Sequence, residues 1–138
     1  MWVSNAGQDG FSTQNTDCEL YISEDGVKWK RKAKLNFDKD FLVWHLEVRE
    51  KNNKYFMLFS GRRKMGENGL SLYCAKSKDG INWEINEETL IQNSEIFPLI
   101  YKPSFIFHEG KIKIWYSTMS NTKEWKNWYT ERPLDVFN

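Results

Sequence analysis

His45 and Glu47 lie two residues apart, and Lys102 follows 57 positions after His45. Residues at i and i+2 of an extended segment share a face, so the imidazole and the carboxylate point the same way. An ammonium brought beside them completes a set that can hydrogen-bond one small polar molecule. An aromatic residue precedes each end of the set, Trp44 before His45 and Tyr101 before Lys102. Aromatics make up 16% of the chain and include seven Trp, more than one modest core requires, and flat apolar faces with a polar rim suit sugar rings. The candidate ligand-binding residues are therefore Trp44, His45, Glu47, Tyr101 and Lys102, and the expected partner is a saccharide, including one that bears a carboxylate or phosphate.

Other chemistries find little support. His45 and His108 are too isolated to suggest a metal site. Cys18 and Cys74 form no CxxC or Cys/His cluster and read as free thiols of a reducing compartment, so the expected location is cytoplasmic. The segment RRKMGENG (62–69) reads as a loop between strands and lacks the strand-to-helix context of a phosphate-cradling loop. No cofactor is implied. A net charge of +1 argues against a dedicated nucleic-acid binder, and the local basic run KWKRKAK (28–34) suits a solvated edge strand whose lysines discourage edge pairing. No apolar run reaches the ~18 residues of a membrane span, and the start lacks the pattern of a signal peptide.

The elements that must position the candidate residues are repeats. A seven-residue box occurs twice, SEDGVKW (23–29) and SKDGINW (77–83), with Ser, Asp, Gly and Trp in the same places and 54 positions between copies. Three apolar residues and a serine occur three times, as MWVS (1–4), MLFS (57–60) and IWYS (114–117). The stretches 44–60 and 101–117 align without a gap, pairing Trp44 with Tyr101, His45 with Lys102 and Glu47 with Ser104. Periods of roughly 40 to 50 residues containing several short strands mark propeller blades.

Apolar and β-branched runs at 41–48, 55–59, 70–75, 105–107 and 112–116 predict strands, and helical periodicity is weak throughout. The box predicts a turn in which Asp accepts backbone hydrogen bonds, Gly takes a positive φ and Trp packs across the next strand. Trp115, inside an apolar run, is expected in the core. The sequence thus predicts an all-β partial propeller of about two and a half four-stranded blades, with about ten strands in radially arranged sheets. Residues 1–40 form an incomplete blade, 41–94 a complete one and 95–138 another incomplete one. The incomplete units imply a homo-oligomer or the remainder of a longer propeller, because uncovered blade faces and edges favour association.

The succession of an inner strand, an apolar strand ending in Ser and an S-x-D-G-x-x-W box resembles the five-bladed propeller glycosidases, the arabinanase, xylosidase and invertase-like superfamily. The resemblance covers nearly the whole chain, as about half of a full domain. It implies carbohydrate-active function, with carboxylates on three inner strands serving as general base, orienting acid and general acid. Glycosidic cleavage needs such a pair, one group to protonate the leaving oxygen and one to act as base or nucleophile. Here the corresponding slots hold His45 and Lys102, and the nearest carboxylate is Glu47, the one catalytic candidate if the chain is an enzyme. The departure implies a glycan-recognising module that is non-catalytic as the isolated chain. The alternatives are a structural or protein-interaction propeller fragment, and a glycosidase completed by a further segment or a second copy.

Overall fold

The computed structural model describes residues 1–65 and 68–137, so Gly66 and Glu67 of the 62–69 loop lie outside the described residues. Eleven strands follow one another: β1 (Trp2–Asn5), β2 (Asp17–Ile22), β3 (Lys30–Lys34), β4 (Asn36–Phe37), β5 (Phe41–Lys51), β6 (Lys54–Arg63), β7 (Ser71–Ser77), β8 (Asn82–Ile91), β9 (Leu99–His108), β10 (Lys111–Met119) and β11 (Trp125–Pro133). The helical elements among the described residues are two short 3-10 turns, Gly7–Ser12 and Leu134–Phe137.

The strands form three sheets, β1-β2-β3, β4-β8-β7-β6-β5 and β11-β10-β9. Consecutive strands within each sheet pair antiparallel. Sequence patterning missed β4, whose two residues show no period. It lies parallel to β8, held by Asn36 N–H to the Ile81 carbonyl (2.9 Å) and Asp38 N–H to the Trp83 carbonyl (3.1 Å). The fold is all-β, a partial propeller of successive packed sheets.

Strand alternation sorts the side chains of the central sheet to two cores. Met57, Phe59, Tyr73 and Ala75 face the first sheet, where they pack with Cys18, Leu20 and Trp83. Leu58, Leu72 and Cys74, one position out of phase, face the third sheet and meet Ile100, Phe105 and Ile114. A sheet covered on both faces needs a continuous apolar run rather than alternation, which is why FMLF (56–59) and SLYCA (71–75) read as they do. Phe137 closes the outer end of the second core against Phe56 and Phe107. Burying one such aliphatic or aromatic side chain contributes about 1.5–3 kcal/mol.

Both boxes form the predicted turn. Asp79 Oδ1 accepts from the N–H groups of Ile81 and Asn82, each at 2.8 Å, and Gly80 has φ +73°. Asp25 Oδ1 accepts from Val27 (2.9 Å) and Lys28 (2.7 Å), with Gly26 at φ +71°. The two tryptophans then diverge. Trp83 is 2% exposed in the first core, whereas Trp29 is 42% exposed and turns its Nε1–H back to the Gly26 carbonyl at 3.1 Å.

Two expectations need correction. Trp115 is 43% exposed, not core, because Ile112 and Ile114 take the inward positions of β10 and alternation turns Trp115 to the far face. Its counterpart in the repeat, Leu58, is fully buried because the third sheet covers it. The gapless register also slips by one at the site. His45 pairs with Ser60, but Tyr101, not Lys102, pairs with the equivalent Ser117. The register of β5 breaks between Val43 and His45, leaving Trp44 as the extra residue, while in β9 Lys102 and Pro103 together oppose Tyr116. Pro103 has no N–H for the ladder, which displaces the bulge along β9.

Candidate functional site

The two bulges open onto one cavity of about 700 Å³. Trp44 and His45 come from β5, Tyr101 and Lys102 from β9, and Arg62 from the end of β6. Trp125 at the start of β11, and Thr13 and Gln14 between β1 and β2, complete the polar and aromatic part of the wall. Leu42, Leu70, Leu99 and Met119 supply apolar lining.

A bulge adds a residue to one strand and re-aims its side chain. The β5 bulge is anchored from the first sheet, since the Val43 carbonyl accepts from Ser4 Oγ (2.6 Å) and Thr16 Oγ1 (2.9 Å). Ser4 is the serine of the first apolar-Ser element, so that element fixes the backbone beside Trp44. At the β9 bulge Lys102 has φ +46°, a conformation that L residues other than glycine seldom adopt. Strain of this kind persists only where surrounding structure enforces it, and it clusters at functional positions.

The rings form a connected series. The Trp44 and His45 centroids lie 6.2 Å apart, His45 and Tyr101 5.1 Å, and Tyr101 and Trp125 5.3 Å, the last edge to face. Burial, with a smaller contribution from the nearby Lys102 charge, lowers the pKa of His45. The imidazole is therefore neutral near pH 7, with one nitrogen to donate and one to accept. Burial raises the pKa of Tyr101, so its phenol also keeps both roles. Arg62 donates to the Gln14 side-chain oxygen and to the Lys64 carbonyl (3.4 Å), which holds the guanidinium at the wall.

Glu47 stands apart from the other candidates. It is not among the residues lining the cavity, and its carboxylate pairs with Arg49 at 2.5 Å, whose Nε–H donates to the Phe105 carbonyl at 3.1 Å. That chain of contacts ties β5 to β9. Sequence reasoning missed Arg62, Thr13 and Gln14, which enter from strand ends and loops without periodic signal. Trp125 did carry a signal, as one of the seven tryptophans that exceed what one modest core requires. Among the described residues no group of three or more His, Cys, Asp or Glu is placed to hold a metal ion. No helix among them is long and apolar enough to cross a membrane.

No protein-family model matches the chain. The fold is nevertheless well represented among known structures. An N-acetylgalactosamine deacetylase from F. plautii, solved in complex with blood group B trisaccharide, superposes with a TM-score of 0.82 at 20% identity, over 98% of this chain and 46% of that one. A GH32 β-fructofuranosidase from Bombyx mori gives 0.71 at 12% identity, over 88% of this chain and 27% of that one. An α-L-arabinofuranosidase from Lactobacillus brevis gives 0.66 at 13% identity, over 88% and 40%. By sequence, the chain is 27% identical over 144 residues to the A type blood N-acetyl-α-D-galactosamine deacetylase of Flavonifractor plautii. That alignment takes in 86% of this chain and 18% of the relative, so the chain spans less than a fifth of that protein's length.

The chain therefore has the fold of the arabinanase, xylosidase and invertase-like propellers and matches less than half of each of these solved chains. The proteins it resembles are carbohydrate-active enzymes.

Proposed function

We propose that this chain recognises a saccharide in the cavity between the β5 and β9 bulges. The observation that carries this reading is the run of aromatic rings, Trp44, Tyr101 and Trp125, around a half-buried neutral imidazole. Sugars present apolar C–H faces and hydroxyl rims, which such rings and such a donor-acceptor pair can match together. The cavity is of the size that takes a small ligand. The related deacetylase was solved with a trisaccharide bound, which favours the same ligand class here.

We read the interaction as binding without cleavage. No carboxylate of a described residue lines the cavity, whereas glycosidic hydrolysis uses a pair of them about 5 to 9.5 Å apart. The test is a glycan array followed by titration calorimetry. Signal that Tyr101→Ala and Trp125→Ala diminish is expected, with furanoside and pyranoside chromogenic substrates left intact. Absence of binding to any glycan would overturn the reading, and hydrolysis abolished by Glu47→Gln would make the chain an enzyme.

The alternation of exposure between equivalent positions favours a second, compatible role in assembly. Trp29 and Trp115 are exposed where Trp83 and Leu58 are covered by a neighbouring sheet. We propose that these faces pair with further blade-like sheets, from a second copy or from the remainder of a propeller.

A further inference from the structure

The cavity has a bias that a neutral sugar does not require, because its charged lining is cationic. Arg62 and Lys102 both line it, and no carboxylate of a described residue does. Gln14 and the Lys64 carbonyl hold Arg62 at the wall. Lys102, exposed on its bulge, makes no ion pair with a described residue. Glu47, the acidic residue of β5 closest in sequence to His45, is taken up by Arg49. An anion entering the cavity thus meets the Lys102 ammonium, which no described residue pairs, beside aromatic faces.

Resting on the saccharide reading above, we propose that the cavity selects saccharides bearing an anionic group, with Lys102 as its principal charged contact and His45 taking up a proton as the anion enters. The groups that face His45 define the coupling. Lys102 and Tyr101 come from β9, and Arg62 from β6. In the empty cavity, burial and the Lys102 charge both disfavour the imidazolium. An anion seated between them offsets that repulsion and gives the protonated ring a partner. Affinity for acidic ligands therefore rises as pH falls through the raised pKa of the bound state, and levels off below that of the free imidazole. A neutral sugar lacks this dependence.

The experiment is titration calorimetry on the full chain with matched pairs, oligogalacturonates against their methyl esters and sialyllactose against lactose. Measurements at pH 5.5 and 7.5 use buffers of different ionisation heat to count protons. Where a pair binds, the acidic member is expected to be tighter by about tenfold, the effect of one charge-assisted hydrogen bond, with the advantage shrinking in added salt. Lys102→Ala is expected to equalise the pair, and His45→Gln to abolish proton uptake. Equal affinities within every bound pair would overturn anion selection and leave saccharide recognition standing. No binding by either member of any pair, together with a blank glycan array, would overturn both. A preference that survives Lys102→Ala would remove that residue from its assigned role, and acid binding without proton uptake would remove His45 from its own.

Discussion

Trp2 Nε1–H donates to the Gly80 carbonyl at 2.8 Å, joining the first apolar-Ser element to the second box. The bond spans two sheets and ends on a glycine at φ +73°, where a Cβ would come to 3.1 Å from the same indole. Trp2→Phe keeps most of the packing and removes the donor. It is expected to lower stability by about 1 kcal/mol, read as a shift of the urea midpoint at unchanged slope. A midpoint that does not move would show that the contact is incidental to the sheet interface.

The second box carries a pH signature. Asp79 is held well below the usual carboxylate range, chiefly by the Asn82 and Ile81 backbone N–H groups and then by the Asn82 side chain. The folded value is depressed, so this carboxylate's contribution is fully present above the unfolded value of about 3.9 and is lost as pH falls toward the folded value. Unfolding midpoints measured from pH 5 to pH 2 should fall less steeply in Asp79→Asn than in the parent chain. Parallel curves would exclude the box carboxylate as a source of acid sensitivity.

The uncovered faces predict association. Trp115 and Tyr129 pack at 5.3 Å on the far side of the third sheet, 43% and 50% exposed, and Trp29 is open on the first. Sedimentation at tens of micromolar is expected to show a species heavier than the monomer. Trp115→Lys should shift it toward the monomer without changing the far-ultraviolet dichroism. A monomeric parent chain at that concentration would exclude a second copy as the partner of these faces.

Much of this architecture is legible in the sequence because it is local. The Asp-Gly pair fixes its own turn through backbone bonds to its own neighbours, and an apolar run of alternating faces fixes a doubly covered strand. The exposure of Trp115 is not local. Alternation says which residues share its face, but only the packing of the next sheet decides whether that face is covered. The one-residue slip between His45 and Lys102 was hidden for a related reason, since Pro103 moves the bulge without changing the length of the segment. Arg62 and Gln14 reach the cavity from places where no periodicity operates, so their meeting is visible only in three dimensions.

The Val43 carbonyl beside the β5 bulge is satisfied from the first sheet by Ser4 Oγ and Thr16 Oγ1. Removing both hydroxyls with Ser4→Ala and Thr16→Val takes away two side-chain donors and leaves the long thiol contact from Cys18 at 3.9 Å. The cost is expected to be about 1–3 kcal/mol, that of an unsatisfied buried polar group. Saccharide affinity should fall with it, because the same carbonyl fixes the backbone that aims Trp44. Full stability in the double variant would show that relaxation or water replaces the lost donors.

Lys102 allows strain and charge to be separated at one position. Its φ of +46° lies where glycine is at ease and a Cβ is not. Lys102→Ala removes the ammonium and keeps the strained backbone, whereas Lys102→Gly removes both. The left-handed conformation disfavours an L side chain by about 1–2 kcal/mol, and glycine loses part of that difference through its more flexible unfolded chain. Lys102→Gly is therefore expected to be more stable than Lys102→Ala by about 1 kcal/mol in urea unfolding. Both variants should lose the preference for acidic over neutral saccharides to the same extent, since neither carries the ammonium. A glycine variant less stable than the alanine variant would show that the β9 bulge is not strained. Retained acid preference in either would place the anion contact elsewhere on the wall.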